Sequence, residues 1–295
     1  MASIARRSSR SAAALLLSTP LTLFALIFVL YPLSSGILTA FQSATLLDPS
    51  TDFNGIRNFA SLFTSVGFAK SAGFTLGFSA VVVSIEMVLG FGLALLVNRQ
   101  FPGKKVFFTM ILLPIMVAPA LLGIMFRLLL NGDIGAVPAV LQQLGLSVSL
   151  FSPDSVVPLL VVLDVLQWTP FTFLIIYSGL QSFPTELLEA SAMDGAGYFR
   201  SLGSIVMPVL APVLFAAFFL RAIDALRTFD VIYVLTAGGP GTSTTTLSIF
   251  IYKTAFESGD FGKAAAAALV VLICLLPFVP FMVKRIASTG MDVKK

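Results

Sequence analysis

The stretch from Ala72 to Val97 reads AGFTLGFSAVVVSIEMVLGFGLALLV and contains one charged side chain, Glu86. A helix that crosses the hydrocarbon core of a bilayer needs about 20 predominantly apolar residues. A strand of a membrane β-barrel is shorter and alternates apolar with polar residues, which this stretch does not do. The sequence therefore predicts a transmembrane helix here, and an all-α membrane protein if other parts of the chain are similar.

The composition shows that the rest of the chain is similar. Hydrophobic residues make up 57% of the 295 residues and charged residues 11%, with a mean hydropathy of +0.99. Soluble domains carry about 25% charged residues, so the chain is predicted to be an integral membrane protein. It has no histidine, the commonest metal ligand and the usual general base near neutral pH, so we expect neither a metal site nor catalysis. The lone cysteine, Cys274, lies in an apolar stretch and is expected to pack.

Six segments are long and apolar enough to span a bilayer, and together they predict a single transmembrane domain over residues 1–295. They cover roughly residues 12–37, 72–97, 106–130, 156–180, 208–226 and 264–283. Arg221, Asp224 and Arg227 interrupt the far end of the fifth segment. Pro114 and Pro119 are expected to kink the third, which membrane helices tolerate when neighbouring groups satisfy the freed carbonyls.

The distribution of basic residues predicts the orientation. Eleven Lys and Arg fall on one side of these spans and five on the other. Because cytoplasmic loops are enriched in Lys and Arg, both termini are expected in the cytoplasm, which agrees with six crossings. The first span could instead be a signal peptide. Its apolar run is longer than usual for such a peptide, and Pro20 and Pro32 interrupt it.

The inner loop between the fourth and fifth spans, residues 181–207, has a compact amphipathic pattern. A helix is expected over about 184–193, with Ser182 and Thr185 as candidate N-caps and Pro184 in its first turn. Asp194-Gly195 predicts its end, since glycine readily adopts the left-handed conformation there. A second short helix is expected from about Tyr198. Local chemistry alone leaves open an interfacial hairpin that merely joins two spans.

Six positions in this loop and at the start of the fifth span form a spaced pattern, listed in chain order: Glu189, Ala190, Ser191, Gly195, Ile205 and Pro208. This pattern resembles the cytoplasmic coupling loop of ABC importer permeases, although Met207 stands where Leu is usual. The resemblance implies that this loop forms a coupling helix that enters a groove of an ATP-binding subunit, and that these six residues and Asp194 serve the coupling. The stretch 228–236, followed by Gly238-Gly239-Pro240, is similar to permeases of the maltose and glycerol-phosphate type.

The resemblance also implies partners and a location. We expect a second homologous permease subunit, two ATP-binding subunits that carry ATP and Mg²⁺, an extracytoplasmic solute-binding protein and membrane lipid, but no nucleic acid. The chain lacks the G-x-x-x-x-G-K-[ST] phosphate loop, so no cofactor is expected on it and it is not expected to be an enzyme. The location would be a bacterial-type cytoplasmic membrane. The alternatives are a secondary transporter or channel that works without an ATPase, and a membrane enzyme.

Polar residues within the spans are candidates for a substrate path, because polar side chains are costly in a membrane. A sugar site needs hydrogen-bonding groups and an aromatic face. The candidates, which lie in the fourth and fifth spans, are Asp164, Gln167, Trp168, Tyr177, Arg221 and Asp224. The alternative for this set is a group of satisfied contacts between helices. Arg221 and Asp224 are expected to pair on one helical face.

Overall fold

The computed structural model describes residues 18–48, 52–145, 149–278 and 280. In these residues the regular structure is helical, and β-pairing is limited to isolated bridges at Gln42–Phe53 and Thr45–Asp260. The predicted all-α fold is confirmed.

The helices are numbered α1 to α13 along the chain. They are α1 (Ser18–Ala40), α2 (Arg57–Phe63), α3 (Val66–Asn98), α4 (Lys104–Leu112), α5 (Pro119–Leu129), α6 (Ala136–Gln143), α7 (Val156–Gln181), α8 (Thr185–Met193), α9 (Tyr198–Ser201), α10 (Met207–Leu226), α11 (Asp230–Thr236), α12 (Leu247–Tyr252) and α13 (Phe261–Leu275). A 3-10 turn follows α4, and π turns lie within α1, between α9 and α10, and after α12.

Four helical segments are long and apolar enough to cross a membrane: Ser18–Ala40, Val66–Asn98, Val156–Gln181 and Tyr198–Thr236. They coincide with the predicted first, second, fourth and fifth spans. The bent pair formed by α4 and α5 becomes a fifth if it counts as one span. The sixth crossing stays a prediction, since α13 is a shorter apolar helix. Residues 12–17 of the first span, most of 279–283 of the sixth, and the basic residues at both ends lie outside the described residues.

The predicted third span is not one gently kinked helix but two helical segments with a sharp bend between them. The segments Lys104–Met116 and Pro119–Leu129 meet at 95°. Val117 and Ala118 between them have ψ angles of 130° and 136°. The angle of Ala118 is the one that a residue before a proline prefers, and Pro119 begins α5. The Val117 carbonyl accepts a hydrogen bond of 3.3 Å from Gln167 Nε2. Proline geometry and this side-chain contact replace the helical backbone bonds at the break.

Two compact units make up the chain, and each is described by itself. The first comprises residues 1–65 and 251–274. Within it, Asn58 Nδ2 donates to the carbonyls of Ala40 and Gln42, both at 2.9 Å, and Gly262 N–H donates to Ala44 O at 3.0 Å. The second comprises residues 66–250 and 275–295. That the whole chain is one domain stays a prediction.

The second unit is built around α3, α7 and α10. One apolar cluster includes Val82, Leu160 and Ile232, and another, nearer the loop 181–207, includes Phe173 and Leu210. Small residues let the helices approach closely. A Cβ atom on Gly90 of α3 would lie 3.0 Å from the backbone nitrogen of Phe173, and one on Gly179 of α7 would lie 2.8 Å from Val213 Cγ1. Such contacts are typical of packed membrane helices.

Candidate translocation and coupling sites

Arg221 of α10 is the centre of a buried charge cluster. Its side chain is 1% exposed, and its Nε and Nη2 atoms donate to Glu86 Oε2 and Oε1 at 2.6 and 3.0 Å. Nη2 also contacts Asp164 Oδ1, and Nη1 lies 3.4 Å from Asp224 Oδ2. One guanidinium therefore joins α3, α7 and α10 through carboxylates on all three helices.

Because Arg221 and Asp164 pair with each other inside this cluster, neither of these two predicted residues is free to contact a solute. The predicted pairing of Arg221 with Asp224 is present, but Glu86 and Asp164 are its closer partners. For Arg221 and Asp164, the structure supports the alternative of satisfied contacts between helices. No local pattern predicts these pairings, because Glu86 and Asp164 lie 135 and 57 residues from Arg221.

Trp168 of α7 links the charge cluster to a cavity. Its ring lies 5.1 Å from the Arg221 guanidinium carbon, and it also lines a cavity of about 400 Å³. The other lining residues include Pro119, Asp224, Arg227, Thr228 and Asp230. An aromatic ring beside carboxylates and a guanidinium is the combination expected of a saccharide site. Arg227 and Asp230 were missed as candidates because they lie beyond the predicted fifth span, and Pro119 because it was interpreted only as a kink within the third.

Gln167 and Tyr177 lie apart from this cavity. Gln167 is buried, donates through Nε2 to Val117 O, and leaves Oε1 without a partner within the described residues. Tyr177 packs against Phe108 and Phe173, each with ring centroids 5.6 Å away, and Lys104 Nζ lies 5.8 Å from its ring. It follows Trp168 by nine residues, about 13 Å along the helix towards the loop 181–207. The structure therefore does not bring Tyr177 to the candidate substrate site.

The loop 181–207 forms the expected helix–turn–helix. The first helix is α8, Gly195 has a φ of 74°, and α9 begins at Tyr198. The predicted capping is wrong: Pro184 occupies the N-cap position and no side chain caps the helix. The ring of Pro184 fixes its own φ and sets up the extended entry to the helix, while Ser182 Oγ turns back to Ser178 O at 3.3 Å.

Ser191 holds this helix–turn–helix together. It is the one buried residue of α8, and its Oγ lies 2.5 Å from Ser201 Oγ of α9. Its carbonyl accepts the N–H of Ala196 at 3.0 Å. Glu189, Ala190, Asp194 and Gly195 are exposed to solvent. The loop thus exposes nearly all of α8, while the contacts of Ser191 fix the position of α8 relative to α9.

Ile205 and Pro208 lie where the helix–turn–helix joins α10. Ile205 is half-buried in the π turn Leu202–Val206, and Pro208 is the second residue of α10. Pro208 has no N–H to donate to the carbonyl four residues earlier, and the π turn lies directly before α10, which contains this proline. Despite the proline, the helical backbone is continuous from Tyr198 to Leu226.

Comparison with known proteins identifies the family. Residues 86–288 match the model described as "Binding-protein-dependent transport system inner membrane component". The chain belongs to this family. This permease is 35% identical over 265 residues to the trehalose/maltose transport system permease protein MalF of Thermococcus litoralis, covering 89% of this chain and 90% of the relative. The resemblance inferred from the loop is confirmed, and the permease is a membrane translocation subunit rather than a transporter that works without an ATPase.

Two further comparisons agree with this family assignment. The sn-glycerol-3-phosphate transport system permease protein UgpA of Yersinia pestis is 32% identical over 263 residues, covering 88% of this permease and 89% of UgpA. A bacterial alginate ABC transporter, solved in complex with an alginate pentasaccharide-bound periplasmic protein, contains a chain of the same fold. Its TM-score is 0.82 at 21% identity, and 94% of each chain is covered. The orientation of the termini in the membrane stays a prediction.

Proposed function

We propose that this permease imports a sugar, or a related polyol or glycerol-phosphate-type solute, as one subunit of an ATP-driven complex. The solutes for which its relatives are named, trehalose/maltose and sn-glycerol 3-phosphate, support this class of solute. A second permease, two ATPase subunits that carry ATP and Mg²⁺, and an extracytoplasmic binding protein would complete the complex. The chain itself would bind no cofactor and would not hydrolyse ATP.

The exposure of α8 is the observation that carries the proposal. All of its residues except Ser191 are outside the core, and the side chain of Met193 is 89% exposed. Phe199, just beyond the turn, is 83% exposed. A short helix that exposes apolar side chains together with Glu186 and Glu189 fits a partner's groove better than it fits water. The ATPase subunit is the proposed owner of that groove.

The helical run that follows connects this docking element to the candidate substrate cavity. From Tyr198 to Arg221 the helical path is about 35 Å at 1.5 Å per residue. Arg221 then contacts α3 and α7, next to Trp168. Movement of α8 with the ATPase would reach the cavity along α10, which is the mechanical requirement of alternating access.

Substitutions of Ala190 test the docking. The permease is co-expressed with its partner subunits, and Ala190→Arg is compared with Ala190→Ser as the size-matched control. Ala190→Arg is expected to abolish ATPase stimulation by the loaded binding protein, because a long cation cannot enter a fitted groove, while the permease still reaches the membrane. Ala190→Ser is expected to retain stimulation. Stimulation of the Ala190→Arg complex at the wild-type level would contradict the docking site.

A further inference from the structure

The cavity beside Trp168 carries more acidic than basic groups. Two carboxylates, Asp224 and Asp230, and one guanidinium, Arg227, line it. Arg227 Nε and Nη2 both donate to Asp224 Oδ1, at 3.3 and 3.1 Å. Asp230 is exposed, and no ion pair within the described residues engages it. The guanidinium therefore pairs with one carboxylate, and within the described residues the other has no counter-ion.

The surroundings of the cavity supply no spare positive charge. Arg221, behind Trp168, is already shared among Glu86, Asp164 and Asp224. Two helices begin at the cavity, but neither offers a free anion site. Pro119 removes one of the free N–H groups at the start of α5, and Asp230 places its own carboxylate in the first turn of α11, where it competes with an anionic solute. Free guanidinium groups and open helix N-termini, which bind phosphate, sulfonate or uronate groups in other proteins, are thus absent or occupied in this part of the structure.

The same groups suit a neutral molecule with many hydroxyls. Carboxylates with free lone pairs accept hydrogen bonds from hydroxyl groups, and the aromatic face of Trp168 can pack against the C–H surface of a sugar ring. We propose that this cavity selects a neutral saccharide or polyol and disfavours anionic solutes. This inference rests on the proposed import function, and it narrows the class of solute that the two relatives leave open.

Trp168 is the only tryptophan of this chain, so its fluorescence reports on the cavity. The assembled complex is placed in nanodiscs, and the signal of a Trp168→Phe complex is subtracted to remove the tryptophans of partner subunits. Caesium, iodide and neutral acrylamide are then compared as quenchers at equal ionic strength. An acidic cavity predicts that caesium quenches Trp168 at least about twofold more efficiently than iodide, once the quenching by each ion is normalised to its quenching of a free tryptophan analogue and acrylamide is used as the neutral measure of accessibility.

Asp230→Asn is expected to reduce the preference for caesium, and Asp230→Lys to reverse it. Asp154→Asn, which removes an acid that does not line the cavity, is the matched control and should leave the preference unchanged. Quenching by iodide that equals or exceeds quenching by caesium in the wild-type complex would overturn the inference.

A comparison of solutes provides a second test of the inference. Trehalose and maltose are compared with sn-glycerol 3-phosphate and glucuronate, by ATP-dependent uptake into proteoliposomes with the binding protein and by the Trp168 signal. Uptake of an anionic solute in preference to the neutral ones would overturn the inference while leaving the importer intact. Uptake of a neutral saccharide that needs no ATP would instead contradict the proposed function and leave the inference standing.

Discussion

Arg221 is a cation that the membrane interior accommodates because three helices supply its counter-charges. A buried ion pair contributes little net stability relative to apolar packing, but removing one partner leaves uncompensated charges in a medium of low dielectric constant. Arg221 also stacks against Trp168, so the same side chain connects helix packing to the candidate cavity. Its loss should therefore affect folding first and transport as a consequence.

Replacing Arg221 with methionine is expected to destabilise the permease by about 3–5 kcal/mol, because Glu86 and Asp164 lose their buried partner. Arg221→Lys keeps the charge but loses the two-pronged contact with Glu86, and an intermediate effect is expected. Thermal unfolding of the purified complex and its yield in membranes measure both. Arg127→Gln, at an exposed arginine that donates to Val234 O, is the control. Equal stability of the Met variant and the wild type would show that the cluster does not hold the helices together.

Trp168→Ala is expected to raise the KM for uptake by about tenfold without impairing assembly, if stacking on the solute contributes about 1.4 kcal/mol. Trp168→Phe, which keeps an aromatic face, should lose less. Uptake of radiolabelled solute by cells with equal amounts of complex is the measurement. Unaltered kinetics in the Ala variant would assign Trp168 to packing against Arg221 alone.

The pair Arg221–Asp224 could be predicted from sequence because two residues three apart on a helix lie on the same side. Glu86 was visible as a charge within a span, but its partner was not. Which helices are neighbours depends on close packing at positions such as Gly90 and Gly179, and no local pattern identifies the residue across the interface.

Among the helical elements, the helix–turn–helix of the loop 181–207 was the most predictable part of the chain, because local residues determine it. Pro184 marks the start of α8 and Gly195 marks its end, and each does so through its own backbone angles. The 95° break between α4 and α5 was less predictable. A proline in a membrane helix gives anything from a slight bend to a full break, and contacts from other helices, such as Gln167 with Val117 O, decide the result.

Gly195→Pro is expected to abolish the coupling of ATP hydrolysis to transport while leaving membrane insertion intact. Proline fixes φ near −65°, whereas Gly195 has φ at 74°, so the turn between α8 and α9 cannot form. Gly197→Ala is the matched control, since Gly197 has a φ of −72° and open space around its Cβ position. ATPase activity with and without loaded binding protein distinguishes the two variants. Normal transport by the proline variant would refute the assignment of this loop as the coupling element.

At the scale of the whole molecule, the distribution of basic residues makes a prediction about orientation. Both termini and the loop 181–207 are expected on the cytoplasmic side, with residues 227–263 outside. Replacing the single cysteine with serine (Cys274→Ser) gives a background for site-directed labelling. Ser243→Cys should react with a membrane-impermeant maleimide in intact spheroplasts, and Ser8→Cys only after permeabilisation. The opposite accessibility would invert the topology and place α8 away from any ATPase.

The sharing of one cation among distant carboxylates has a consequence for how the protein is made. Glu86 is synthesised 135 residues before Arg221, which corresponds to roughly 7–27 s at bacterial or eukaryotic rates of elongation. During that interval α3 and then α7 carry acidic groups into the membrane with no counter-ion yet available. We therefore expect the early helices to stay at the insertion machinery until α10 emerges. A nascent chain that stops short of Arg221 would be a natural substrate for membrane proteases.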